Sequence, residues 1–307
     1  MRKLFAVIGL SFLTVIPVLA QDAQALLFTR FERNPRTAAF AGAGTASVNG
    51  MSYSAFRQAA VLPLSGKKFD AGFNFQMWRP GDTFDKTNSF NLGAALHLGR
   101  FGFSLGGALQ RGVTEDNFTP SQKMLGLGLG FAIIPGKLSI GLNARLAKES
   151  IFKDAETGNE VALNGFSADF SALYCINNAF SATLGVATLG NSVKGSEGTD
   201  PMPQPASAYL GGSWHPTFDQ HSLELMLDGE FYFAGSATMA LGAEYGFKNM
   251  LFARAGYRLA GRYGVPSHLA LGLGFQFAGF RLDASYITLS QNKVLNNSFS
   301  VGLGYSF

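Results

Sequence analysis

From residue 67 to the C-terminus the chain alternates large apolar residues with small or polar ones. Phe69, Ala71, Phe73, Phe75 and Met77 interleave with Asp70, Gly72, Asn74 and Gln76. Leu125, Leu127, Leu129, Phe131 and Ile133 interleave with glycines at 126, 128 and 130, and Phe299, Val301, Leu303, Tyr305 and Phe307 close the chain in the same way. A helix would return its apolar residues every three or four positions, so a period of two held over ten residues predicts strand. Fourteen such segments are present, at 67–78, 88–98, 101–112, 123–134, 137–150, 163–174, 179–189, 205–214, 221–233, 236–247, 250–260, 268–277, 280–290 and 297–307. Most exceed the usual strand of about 5–6 residues. They match the roughly 9–11 that a tilted strand needs to cross a bilayer.

The connections alternate as well. Gly99-Arg100, Pro135-Gly136, Asn177-Asn178, Lys248-Asn249 and Ala278-Gly279 suit tight hairpin turns. Between them lie longer polar stretches at 79–87, 112–122, 151–162, 190–204, 261–267 and 291–296. Short turns at one end and long loops at the other predict an outer-membrane β-barrel with its long loops outside the cell. Ala234-Gly235, short on the outer side, and 215–220, long on the inner, depart from that rule.

A spanning sheet must close on itself, because hydrocarbon offers no partner to a free N–H or C=O. The large apolar residue of each alternating pair should then face lipid and the other the lumen. The lumen set holds Gln76, Asn143, Arg145, Asp169, Glu224, Asp228, Glu230, Glu244, Arg254, Arg258, Arg281 and Asp283. Asp228, Glu230, Glu244, Arg254, Arg258, Arg281 and Asp283 come from four segments at 221–260 and 280–290, which predicts a lumen charge network in one sector of the wall. Such a sector is either a polar conduit or a network that fills and stiffens a narrow lumen, and the second is the expectation. Glycine and alanine at many other lumen positions leave room for a plug or a small cavity.

Composition fits this picture. Only 14% of the 307 residues are charged and 38 are glycine, against about 25% and about 7% in soluble domains. Residues 1–20 read as a secretory signal peptide: Arg2 and Lys3 precede an apolar run, and Val18-Leu19-Ala20 ends on a small residue. The formal charge of +4 falls to +2 without Arg2 and Lys3, too little to imply a nucleic-acid partner. A single cysteine, Cys175, excludes an intrachain disulfide framework.

Residues 21–66 do not alternate and are expected near or inside the lumen, ahead of the barrel at 67–307. Their distinctive run extends from Arg30 through Asn34-Pro35-Arg36-Thr37-Ala38-Ala39-Phe40 to Gly42-Ala43-Gly44, followed by Arg57-Gln58-Ala59-Ala60. Here the chain resembles the PorV/PorQ group of FadL-like outer-membrane proteins, which carry such a small-residue run, with Gly42 and Gly44, soon after the leader. The resemblance implies a fourteen-stranded barrel with an N-terminal segment in or near the lumen. It implies a role in protein export or surface presentation of the type IX secretion kind, and, in the FadL branch, passage of small hydrophobic molecules. Tyr305 and Phe307, aromatic residues ending an alternating strand, resemble the C-terminal signal read by the barrel-assembly machinery.

Catalytic chemistry is not expected. His97, His215, His221 and His268 lie apart, without metal-binding spacing, and no Gly-x-Ser-x-Gly elbow is present. Neither a cofactor nor a metal is implied. The expected partners are outer-membrane lipid, the assembly machinery, and either secretion proteins or a small hydrophobic ligand. Trp78, Tyr232 and Tyr263, near strand ends, are expected in aromatic girdles. The two faces are checked by refolding titrations. Leu127→Arg, on the lipid face, should cost about 2–4 kcal/mol near the midplane, whereas Gly128→Ser is expected to be mild.

Overall fold

The computed structural model describes residues 24–79, 87–112, 118–153, 158, 160–195, 200–261, 265–291 and 295–307; the leader and Tyr263 lie outside them. Among these, the strands are β1 (Phe69–Trp78), β2 (Thr87–Leu98), β3 (Phe101–Arg111), β4 (Ser121–Ile134), β5 (Leu138–Lys153), β6 (Glu160–Cys175), β7 (Phe180–Gly190), β8 (Ser207–Trp214), β9 (Thr217–Phe218), β10 (His221–Tyr232), β11 (Ser236–Phe247), β12 (Leu251–Leu259), β13 (His268–Phe277), β14 (Phe280–Thr288) and β15 (Ser298–Ser306). All neighbours are antiparallel, and β15 returns to pair with β1, Leu303 opposite Phe73. The sheet is therefore a closed barrel.

β9 adds no position to the wall. It lies end to end with β8 along the same side of β10, parted from it at His215-Pro216. The proline lacks the N–H that a continuous ladder would need there. Fourteen wall positions result, as the alternation predicts. The inner turns carry the expected geometry: Lys248 and Asn249 (φ 54° and 53°) and Ala278 and Gly279 (φ 50° and 84°) are left-handed pairs, which match the twist of a two-residue hairpin.

Burial is inverted relative to a soluble protein. Leu92, Leu127, Leu184, Leu210, Leu241, Leu273 and Leu303 are 50–68% exposed on the outside, while Asp70, Asn74, Gln76, Asn91, Asn143 and Asp169 are 1% exposed or less. An apolar belt around a polar interior is the surface that lipid requires. This is the surface of a membrane-spanning β-barrel. Trp78 and Tyr232 do not join a girdle on that belt, contrary to the sequence expectation. They have the lumen parity of Gln76 and Glu230, two residues earlier, and lie inside at 2% and 4% exposure. Phe31 packs against Trp78 with the two rings tilted by 34°, and the Arg30 guanidinium lies over Tyr232.

The N-terminal segment fills the lumen. The Ala25 N–H donates to the carbonyl of Pro203 in the outer connection before β8, and the Ser65 carbonyl contacts His97 Nδ1 at the inner end. Between these anchors run a 3-10 turn at Leu27–Arg30, helix α1 (Pro35–Ala39), and 3-10 turns at Ser54–Phe56 and Ala59–Leu64. Asn34 caps α1 by accepting the Arg36 N–H at 2.9 Å, with Pro35 supplying a preset first turn.

Lumen-facing glycines are the sockets for this plug. A Cβ on Gly93 would overlap the Ser52 carbonyl, one on Gly256 the Phe40 backbone, and one on Gly302 would meet Pro35 Cγ at 2.6 Å. Gly128 also departs from expectation: a Cβ there would run into Ser104 Oγ and lie 3.0 Å from Asn143 Nδ2. Asn143 in turn accepts the Ala59 N–H and donates to the Ser54 carbonyl, so Gly128→Ser presses on the plug. Gly93→Ala and Gly256→Ala should each destabilise by about 1–3 kcal/mol through overpacking. Gly212→Ala, where nothing lies within 4 Å, should be silent in the same refolding titrations.

Candidate functional site

The buried charges form two groups, and the N-terminal segment is part of both. In the first, Arg36 of α1 grips Glu244 on β11 with two bonds, Nη2 to Oε1 at 2.9 Å and Nε to Oε2 at 3.1 Å, and reaches Glu224 on β10 at 2.7 Å. Glu244 Oε2 also accepts from Arg254 Nε at 2.5 Å, and Arg254 Nη1 donates to Asp283 Oδ1 at 2.5 Å. Arg281 continues to Asp283 at 3.1 Å and to Asp70 at 3.3 Å. Asp70 Oδ2 takes the N–H groups of Met51 and Ser52. Seven side chains from five strands and the plug thus form one ion chain. Burial alone would lower the Arg36 pKa, but Glu244 and Glu224 outweigh it and raise it above the usual arginine value.

The second group lies in the outer half of the lumen. Arg30 pairs with Glu230, Arg57 with Glu32 and Asp228, and Arg145 with Asp169. Arg258 donates to the Ala41 carbonyl at 3.2 Å and to Thr238 Oγ1 at 3.3 Å. Asp228, Glu230 and Arg258 therefore meet different partners from Glu244, Arg254, Arg281 and Asp283, and the sector anticipated as one network is two. Sequence reasoning missed Arg30, Glu32, Arg33, Arg36 and Arg57. A signal existed: the expected lumen set holds six acids against four arginines, so cations had to come from elsewhere.

Gly42 and Gly44 sit at φ 87° and 111°, a conformation other residues rarely adopt. They turn the chain between α1 and Thr45, whose N–H donates to Asp228 at 2.9 Å. Tyr305 and Phe307 point outward at the inner end, and Phe307 exchanges backbone bonds with Phe69 where the barrel closes. Among the described residues no cluster of histidine, cysteine and acids could hold a metal.

Beside the second group the wall is discontinuous. Between β6 and β7 the register jumps, with Phe170 facing Val186 but Ala168 facing Leu189, so Ala187 and Thr188 bulge opposite Asp169. Thr188 has φ 57°, and its N–H donates to Asp169 Oδ1 at 2.6 Å. β7 ends at Gly190, and outward of this point β6 is paired to β5 alone, its other edge having no strand partner. Asn191 and Gln204 serve Phe166 instead: Asn191 Oδ1 accepts its N–H at 2.8 Å, and its carbonyl accepts from Gln204 Nε2 at 2.9 Å and from the Asn191 N–H at 3.3 Å. Leu26, Phe28, Tyr53 and Phe56 of the plug pack nearby against Met124, Ala147, Leu163 and Val193. The outer lumen therefore contains an apolar chamber, occupied by the chain's own N-terminal side chains.

No family model and no curated protein matches the chain. Solved structures do. The CymD monoaromatic hydrocarbon channel aligns with a TM-score of 0.66 at 13% identity, over 93% of this chain and 99% of that one. The Ralstonia pickettii toluene transporter TbuX gives 0.64 at 13%, over 91% and 99%. A Pseudomonas aeruginosa FadL homologue gives 0.57 at 13%, over 89% and 98%. The fold is that of the FadL-type barrels. The first two of these neighbours are described as a channel and a transporter.

Breaking a buried ion pair from one side is costly, typically about 3–5 kcal/mol. Arg254→Ala should therefore destabilise the barrel by about that much, and adding Glu244→Gln should recover only part, because Glu244 keeps Arg36. A double-mutant cycle on detergent-refolded protein should give a coupling of about 0.5–3 kcal/mol for Arg254 with Glu244. Arg254 and Asp228, in separate groups, should show none.

Proposed function

We propose that the protein is a plugged outer-membrane passage for small hydrophobic or amphipathic molecules. The observation that carries this reading is the apolar chamber around Leu26 and Phe28, lying beside the β6–β7 discontinuity. A closed, fully paired wall keeps a lumen from the bilayer. Where Asn191 and Gln204 replace a strand, lateral escape requires only that side chains and a loop move. With residues 25–31 displaced, Met124, Ala147, Leu163 and Val193 would line a pocket suited to an apolar guest. The similar structures described as a monoaromatic hydrocarbon channel and a toluene transporter support the same reading.

An export role of the PorV/PorQ kind is the other expectation from the sequence. A polypeptide passing through this lumen would have to break both ion groups, so such a role would rest on docking at the outer loops, part of which lies outside the described residues. No described contact favours it over passage.

The gate is tested by locking it. Ala25 and Pro203 are joined by a 3.0 Å backbone bond, which makes them the pair to cross-link. Ala25→Cys with Pro203→Cys, in a Cys175→Ser background, should abolish toluene uptake when oxidised and restore it on reduction. Undiminished uptake through the locked protein would show that residues 25–31 are no gate.

A further inference from the structure

On the outside of β4, β5 and β6, near the long-loop end, the side chains align in rows across the strands. Lys123 lies opposite Lys148, and Lys148 opposite Asn164. One row nearer the midplane, Leu125 lies opposite Leu146, and Leu146 opposite Phe166. These six residues are exposed on the lipid side, while Met124, Ala147 and Leu163 between them are buried against the plug. Arg111, the last residue of β3, shares their outward parity, since Gln110 beside it is buried.

Like charges directly opposite each other on one face of a sheet repel. Glu160 meets Lys148 Nζ at 3.5 Å, with both side chains nearly half exposed. Lys123 and Arg111 have no ion pair among the described residues. Glu149 alternates to the lumen face, where it accepts from Gln122. The two facing ammonium groups therefore lack a shared counter-ion on the surface they occupy. A groove of about 630 Å³ runs over these rows, bordered by Lys123, Lys148, Leu125, Leu146, Phe166 and Asn191. It joins paired cations to an apolar floor. A free anion would leave that floor uncovered, and a neutral acyl chain would leave the lysines unpaired. An amphiphile with an anionic head satisfies both.

We propose that this groove docks a lipid whose headgroup is a phosphate monoester, with the phosphate on Lys123 and Lys148 and the acyl chains on Leu125, Leu146 and Phe166. A monoester carries about −1.5 to −2 at neutral pH, which suits two adjacent ammonium groups better than a single carboxylate does. Because Asn191 borders the groove, the bound lipid lies beside the β6–β7 discontinuity, on its membrane side.

Mass spectrometry of the full chain in non-ionic detergent tests this by counting bound lipid as phosphatidic acid is added at constant ionic strength. Saturable binding of one phosphatidic acid is expected, at least tenfold tighter than phosphatidylcholine with the same chains. Lys123→Gln and Lys148→Gln should each weaken it about fivefold. Lys248→Gln removes an exposed lysine from an inner turn and should leave the affinity unchanged. Equal binding of the two lipids overturns the proposal, as does undiminished affinity in both groove variants. An equal loss in Lys248→Gln would mark attraction to net charge and overturns it too. Inorganic phosphate should not displace the lipid at equal ionic strength; displacement would identify a free-ion site instead. If a variant fails to refold, the comparison of the two lipids on the wild type decides.

Discussion

A bilayer supplies no hydrogen-bond partner to a peptide group, and the rest of this structure depends on that fact. It forces the sheet to close, β15 onto β1, and gives the outer surface to leucine and phenylalanine. Most polar side chains in the middle of the strands are then directed inward, into a lumen too narrow to leave buried charge in bulk water. Unpaired charge there is costly. The lumen is therefore filled by residues 24–66, which bring their own arginines to the wall's acids.

Wall and plug are consequently parts of one interior. Glycines at 93, 256 and 302 admit the plug backbone where any side chain would collide with it. Arg36 fastens α1 to β10 and β11 by bonds that extend through Arg254 and Asp283 to Asp70 beside the barrel closure. The inner half of the plug is held mainly by close packing and backbone bonds, at Ser52, Ala59 and Leu62. The outer half differs: Leu26 and Phe28 occupy an apolar chamber, and the wall beside them is completed by Asn191 and Gln204. That asymmetry is the physical basis for proposing the outer end as the gate.

The sequence by itself determined the fourteen wall strands, their closure and which residues face lipid. These depend on a local property, the period of two, which survives whatever the strand pairs with. Parity even placed Trp78 and Tyr232 in the lumen, although their position near strand ends suggested a girdle. Tertiary structure alone decided which charges meet. Arg254 joins Asp283 and Glu244, while Asp228 belongs to Arg57, because partnership depends on register around a closed wall and on where a non-periodic segment crosses the lumen. The same holds for Gly128, which alternation reads as a small lumen residue and packing turns into a contact beneath Asn143. Patterning along one chain records the face of each residue. It carries no record of what lies across a cavity, since that contact is made between segments more than two hundred residues apart, as Arg36 and Glu244 are.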